Sequence, residues 1–199
     1  MPVVTEAKTL IEAIENAKNE LKTEKIIYTK KEKTSGKLFK STMYEVTAIS
    51  EIELMDEMKK YLKEIIENMG LTVQFESSKR EDTYEITMYS DNNSILIGKN
   101  GQTLKALETM VRAKMNIEWN ISPKIVLDVE NYKEKRIEHL ERLAISLAKE
   151  VRATKVDAVL DNMNSYERRI IHNKLSNFKG VSTVSEGEEP NRHVIIKAE

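Results

Sequence analysis

Cysteine is absent, so disulfides and thiolate metal sites are excluded and a reducing cytoplasm is the simplest setting. No window approaches about 18 apolar residues, so no transmembrane helix is expected. No long apolar core follows a basic start, so no signal peptide is visible. Neither sign of charge prevails. Lys and Arg number 32 against 33 Asp and Glu, which leaves any basic surface to local clustering. By segment, residues 1–50 carry 9 basic and 7 acidic residues, residues 51–130 carry 10 and 15, and residues 131–199 carry 13 and 11. Histidine occurs three times, as His139, His172 and His193. There is no HExxH, no carboxylate-rich metal loop and no second general acid near His172, so neither a catalytic set nor a metal or cofactor site is expected.

Glycine is also scarce. Two of only six stand in ILIGKNGQTLKALE, Ile95–Glu108, as Gly98 and Gly101 with Lys99 and Asn100 between them. The lysine precedes the second glycine, which excludes a P-loop, and a third glycine for GxGxxG is missing. What remains is a GxxG turn between two helices, Ser94–Ile97 and Gln102–Ile117. Such a turn offers backbone N–H groups and the helix dipole to a negative charge. Glycine allows a sugar-phosphate backbone close approach, Lys99 adds a mobile cation, and Asn100 can donate and accept. Ile95, Leu96 and Ile97 supply an apolar floor for bases. Lys105 and Arg112 lie on or near this track.

Periodicity divides the chain into three small α+β modules. Residues 1–48 read β-α-β-β: Val3 and Val4, a helix with Leu10, Ile14, Ala17 and Leu21, strands over Lys25–Thr29 and Met43–Ala48, and a turn at Thr34-Ser35-Gly36. Residues 52–130 read α-β-β-α-α-β. Ile52, Met55, Leu62, Ile65, Ile66 and Met69 form a helical stripe ending at Gly70. Strands follow at Leu71–Phe75 and Tyr84–Met88. Leu104, Leu107, Val111 and Met115 mark the helix after the glycines, and Ile125, Leu127 and Val129 the last strand. Each strand is apolar on one face, as in one sheet with helices on one side. Residues 131–199 open with a long helix (Ile137, Leu140, Ala144, Leu147, Val151). A strand is expected over Lys155–Leu160, then a helix from Asn164 with a capping-box pattern to Glu167, ended by Phe178 and Gly180. Strands at Val181–Ser185 and His193–Ala198 close the module.

In SYERRIIHNKL, Arg168 and His172 are four residues apart and share a helix face, with Arg169 beside them. Arg presents a planar donor fork and His can stack, donate or accept. The alternative reading pairs Arg168 with an acidic neighbour and leaves His172 a satisfied helix histidine. Arg192 stands beside His193.

The α-β-β-α-α-β order around GKNG resembles the bacterial-type (type II) KH domain, whose GxxG loop clamps about four nucleotides; Gly98, Lys99, Asn100 and Gly101 are then the clamp. NMNSYERRIIHNKL followed by VSTVSEGEEPNRHVIIK resembles the small single-stranded nucleic-acid-binding domain named for its Arg-xxx-His motif. With KIVLDVENYKEKR, the likeness runs from about Ile52 to Lys197. KH followed by Arg-xxx-His resembles the bacterial Jag family, or SpoIIIJ-associated proteins, with residues 1–48 in the place of the Jag N-terminal domain. The resemblance implies a non-catalytic, cytoplasmic single-stranded-RNA-binding regulator of cell envelope growth or cell division, partnered by a small KH protein. Arg168, Arg169, His172 and Arg192 would form its second RNA surface. Single-stranded DNA stays open, because no group identifies the 2′-hydroxyl. The acidic balance of residues 51–130 supports a different reading, an adaptor that dimerises, as a homodimer, through the KH-like fold. Two departures stand out. The family often has proline where Asn162 and Ser165 stand, and KTSGKLFK, Lys33–Lys40, lacks the second glycine and apolar tip usual after the Jag KxxG turn.

Overall fold

The structure, a computed structural model, describes residues 1–35 and 41–199. It is mixed α+β with three separate three-stranded sheets. The chain forms two compact units, Met1–Glu130 and Asn131–Glu199.

The first unit begins with β1 (Val3–Ala7), α1 (Leu10–Leu21), β2 (Ile26–Ser35) and β3 (Ser41–Ser50), the sheet running β1-β3-β2 with antiparallel pairs. Thr9 caps α1 by accepting from the Glu12 N–H, and Lys22 ends it in a left-handed conformation. Small Ala13 and Ala17 let the helix approach Val46 and Ala48 on β3, and the buried Thr5 hydroxyl donates to the Ala13 carbonyl at 2.7 Å. Across the sheet, Glu45 and Glu6 accept from Lys33 and push its ammonium pKa up to about 12. The strands are longer than the sequence pattern suggests: Thr34 and Ser35, expected in a turn, continue β2 opposite Thr42 and Ser41. The exposed and mostly charged side chains at 30–34 obscure its length. Gly36 and the rest of the Lys33–Lys40 stretch through Lys40 lie outside the described residues.

No linker separates β3 from α2 (Glu51–Asn68), because Ser50 ends the strand and caps the helix, accepting from the Glu53 N–H. The Glu51 N–H also bonds the Lys25 carbonyl at 3.1 Å. After α2 come β4 (Val73–Arg80), β5 (Thr83–Ser90), α3 (Asn93–Ile97), α4 (Gln102–Trp119) and β6 (Lys124–Val129). In the sheet β4-β5-β6 the first pair is antiparallel and the second parallel, since the helical pair between β5 and β6 reverses the chain. Tyr84, Ile86 and Met88 on β5, Ile125, Leu127 and Val129 on β6, and Leu104, Leu107, Val111 and Met115 on α4 are all buried, with α4 packed on β6. On α2 the buried stripe is Leu54, Met58, Leu62 and Ile66. Ile52, expected in it, is exposed, because it lies two residues, about 200°, from Leu54. Met69, also expected there, is the C-cap and is partly exposed.

The second unit contains α5 (Tyr132–Thr154), β7 (Ala158–Val159), α6 (Ser165–Leu175), β8 (Val181–Glu186) and β9 (His193–Ala198), with sheet order β7-β9-β8, antiparallel throughout. Leu140, Ala144, Ala148 and Val151 of α5 pack with Ile171 and Leu175 of α6 and with Val194 and Ile196 of β9. The strand expected over Lys155–Leu160 shrinks to two residues. Lys155 is the left-handed cap of α5 and Val156 is exposed, so pairing starts only at Ala158. It continues irregularly as the Leu160 N–H donates to Val194 and the Met163 N–H to Arg192. Helix α6 has the full capping box between Asn164 and Glu167; it ends at Leu175, ahead of Phe178 and Gly180. Among the described residues no helix is long and apolar enough to cross a membrane.

Candidate nucleic-acid interface

Helix α3 is a single turn held by Leu96, which is fully buried, while Ile95 is about half exposed. The Gly98 N–H closes it onto the Ser94 carbonyl at 2.9 Å. Three left-handed residues then redirect the chain: Gly98 at φ 69°, ψ −178°, Asn100 at φ 52°, and Gly101 at φ 76°. Gly98 lies where only glycine is comfortable, and a Cβ there would collide with the Thr103 side chain, 2.8 Å from its Cβ. Gly98 is therefore needed by the turn itself. Gly101 is the N-cap of the 18-residue α4 and supplies no side-chain cap. The Gln102 N–H bonds the Lys99 carbonyl, and no N-cap side chain serves the rest of the first turn of α4, where an anion is favoured. Lys99 projects from this turn, exposed.

Lys105 lies one turn further along α4, exposed. Arg112, seven residues beyond Lys105, is engaged otherwise. Its guanidinium donates to Glu108 at 3.1 Å and to the Ile125 carbonyl at 3.5 Å, and Glu108 accepts from the Leu127 N–H at 3.3 Å. The pair covers the open edge of β6, which would otherwise present unpaired backbone groups. The GKNG turn and Lys105 thus come together at the head of α4, and Arg112 sits at the sheet edge with a carboxylate on it.

The Arg-xxx-His face of α6 is built in the opposite manner. Arg168 is buried; it donates to Glu189 at 2.9 Å and to the Met163 carbonyl at 3.4 Å. It therefore holds the loop between β8 and β9, and with it Arg192, whose carbonyl takes the Met163 N–H. His172 is half-buried between two hydroxyls of β8, Nδ1 2.7 Å from Thr183 Oγ1 and Nε2 2.8 Å from Ser185 Oγ. Burial, and secondarily the charge of Arg168, lowers its pKa below the ordinary 6.5. A neutral ring donates to one hydroxyl and accepts from the other. Arg169 and Arg192 are exposed. Sequence reasoning missed Glu189, Thr183 and Ser185 as partners. A signal existed for the last two: Thr183 and Ser185 pair with Ile196 and Val194, the buried residues of β9, so they are polar groups on a core-facing side. His139 is exposed on α5, and His193 Nδ1 lies 3.1 Å from the Asn191 carbonyl. Among the described residues no group of three His, Asp or Glu side chains is placed to hold a metal ion.

Residues 55–127 match the KH domain of the KhpA/KhpB proteins, and residues 138–198 match the domain named for its Arg-xxx-His motif. A Clostridium symbiosum protein named RNA-binding protein KhpB is 39% identical over 200 aligned positions, which span 98% of this chain and 90% of that one. The Bacillus subtilis (strain 168) protein of the same name is 40% identical over 157 positions, 76% of this chain and 74% of its own. The Lactiplantibacillus plantarum one is 36% identical over 136 positions, 68% of this chain and 42% of its own. By these matches the chain belongs to the KhpB family, the Jag proteins of the sequence resemblance.

Proposed function

We propose that this chain binds single-stranded RNA without catalysing a reaction, in the bacterial cytoplasm. It acts there as a post-transcriptional regulator linked to cell envelope growth or division, beside a small KH-domain protein. Three modules divide the work: a Jag-like domain at 1–48, a type II KH domain at 52–130 and an Arg-xxx-His domain at 131–199. The observation that carries this reading is the GKNG turn. Its left-handed Gly98, Asn100 and Gly101 set exposed Lys99 over an N-terminus of α4 that no side chain caps, beside exposed Ile95. Phosphates approach the turn and bases rest on the apolar side. Lys105 extends the track, and Arg112 joins it once its pairing with Glu108 is exchanged for phosphate. On the second surface Arg169 and Arg192 meet RNA, while Arg168 and His172 position them. Two weak sites on one chain reinforce each other through effective concentration. RNA-binding names among the relatives support the same reading.

The test is binding of a labelled single-stranded RNA pool, titrated with salt, by wild type and by Lys99→Asp/Asn100→Asp. Loss of the Lys99 contact should flatten the slope of log affinity against log salt by about 0.7, with circular dichroism unchanged. Equal binding by both proteins would move the site off the turn. A DNA pool of the same sequences separates RNA from DNA binding.

One observation favours the adaptor reading, a homodimer or a pair with another KH protein. Met110 and Ile117 stand exposed seven residues apart on one face of α4. If that face pairs, Ile117→Glu should lower the mass seen in sedimentation at unchanged helicity, and RNA affinity of the wild type should be absent at low salt.

A further inference from the structure

Helix α5 carries an unclaimed row of cations. On α2 and α4 the lysines and arginines mostly meet a carboxylate one turn away: Lys59, Lys60 and Lys63 on α2, and Arg112 and Lys114 on α4. On α5 the buried stripe is Leu140, Ala144, Ala148 and Val151. Directly opposite, Lys135, His139, Arg142, Ser146 and Lys149 recur at spacings of four and three, and all are exposed. Among the described residues Lys135, Arg142 and Lys149 take part in no ion pair. Of the nearby acids, Glu141 points to α6, where it accepts from Lys174 at 2.6 Å. At 1.5 Å of rise per residue the three permanent cations stand at intervals of about 10.5 Å along about 21 Å of helix.

Exposed Glu138 lies three residues from Lys135 and four from Arg142 and forms an ion pair with neither, so this row of cations selects a partner with repeated negative charge. The row has no aromatic side chain on which a base could stack and no apolar side chain that would anchor a protein segment. A sugar-phosphate backbone supplies a charge at every nucleotide, and the reach of Lys and Arg side chains frees the row from fixed register. We propose that the solvent face of α5 is an additional RNA-backbone site, in which Lys135, Arg142 and Lys149 hold phosphates without reading sequence. It is separate from both the GKNG turn and the Arg168–His172 face. The proposal rests on the RNA-binding reading above.

Full-length wild type, Lys135→Gln/Arg142→Gln/Lys149→Gln and Ser146→Lys would be titrated with a labelled single-stranded RNA across a range of salt, with Lys99→Asp/Asn100→Asp alongside. Glutamine keeps helix propensity close to that of Lys and Arg, and circular dichroism checks the fold. Three contacts at about 0.7 each should flatten the salt slope by about 2 in the triple variant. Ser146→Lys, which fills the gap in the row, should steepen it by about 0.7. An unchanged slope in both, with the wild type binding and the Lys99→Asp/Asn100→Asp protein impaired, overturns the α5 site and leaves the RNA-binding reading standing. Failure of the wild type to bind at low salt overturns both. Weaker binding of the triple variant at unchanged slope also counts against the site, since lost phosphate contacts must alter the salt dependence.

Discussion

The GKNG turn and the Arg168–His172 face carry the two short motifs of this chain, and they are built from different materials. In the turn, backbone conformation does the structural work. Gly98, Asn100 and Gly101 take left-handed angles, and the motif's cation, Lys99, is left exposed. On α6 the motif residues are themselves the structure. Arg168 is buried against Glu189 and the Met163 carbonyl, and both ring nitrogens of His172 are held. A motif therefore names residues without saying whether they present chemistry or hold in place the residues that do. Here the first motif presents Lys99, and the second organises a loop and strand around the exposed Arg169 and Arg192.

The comparison can be broken from either side, and the largest effect is expected at Gly98. Gly98→Ala must adopt a conformation closed to L-residues and collide with Thr103, which should cost about 3 kcal/mol in urea denaturation. Lys99→Ala should stay within about 0.5 kcal/mol of wild type. If the two cost the same, the turn is not set by backbone. Arg168→Ala comes next. It removes a buried guanidinium from Glu189, but that carboxylate is mostly exposed and stays hydrated, so about 2 kcal/mol is expected. Arg169→Ala, one residue along, should change stability by less than about 0.5 kcal/mol. A reversal of that order would put Arg168 among the presenting residues. Asn164→Ala removes the Asn164 half of the capping box that starts α6 and should cost about 1 kcal/mol.

Much of this arrangement is legible in the sequence. The α-β-β-α-α-β order, the α4 stripe from Leu104 to Met115, the GKNG turn and the Asn164–Glu167 cap all follow from local periodicity and turn chemistry. The burial of Arg168 is legible in part: Ile171 and Leu175 lie three and seven residues on, so Arg168 shares their inward face. The hydrophobic pattern alone gives no reason to bury a charge, and the partner that permits it, Glu189, is 21 residues away. The same limit governs Arg112, whose role at the edge of β6 depends on Ile125 and Leu127 arriving beside α4. Ile52 fails for another reason. Helical spacing gives a period, but the phase is set by which apolar residues find the sheet, and Leu54, Met58, Leu62 and Ile66 win over a stripe that began at Ile52.

The smallest effect sharpens the contrast through proton binding. Burial first, and Arg168 second, hold the His172 pKa below 6.5 in the folded chain. The unfolded chain therefore takes up this proton first as pH falls. The contribution of neutral His172 is fully present above 6.5 and is lost as pH falls through the lower, folded value. The loss is modest because protonation breaks neither bond: the charged ring donates from both nitrogens, and each hydroxyl can rotate to accept. Urea denaturation at about pH 7.5 and about pH 5.5 should show wild type losing more stability on acidification than His172→Gln, in which this proton site is gone while the other titrating groups are kept. A larger loss in the glutamine variant would mean that the imidazolium is the form the fold prefers. His172 would then be a charged group, like Lys99, and the two motifs would be alike after all.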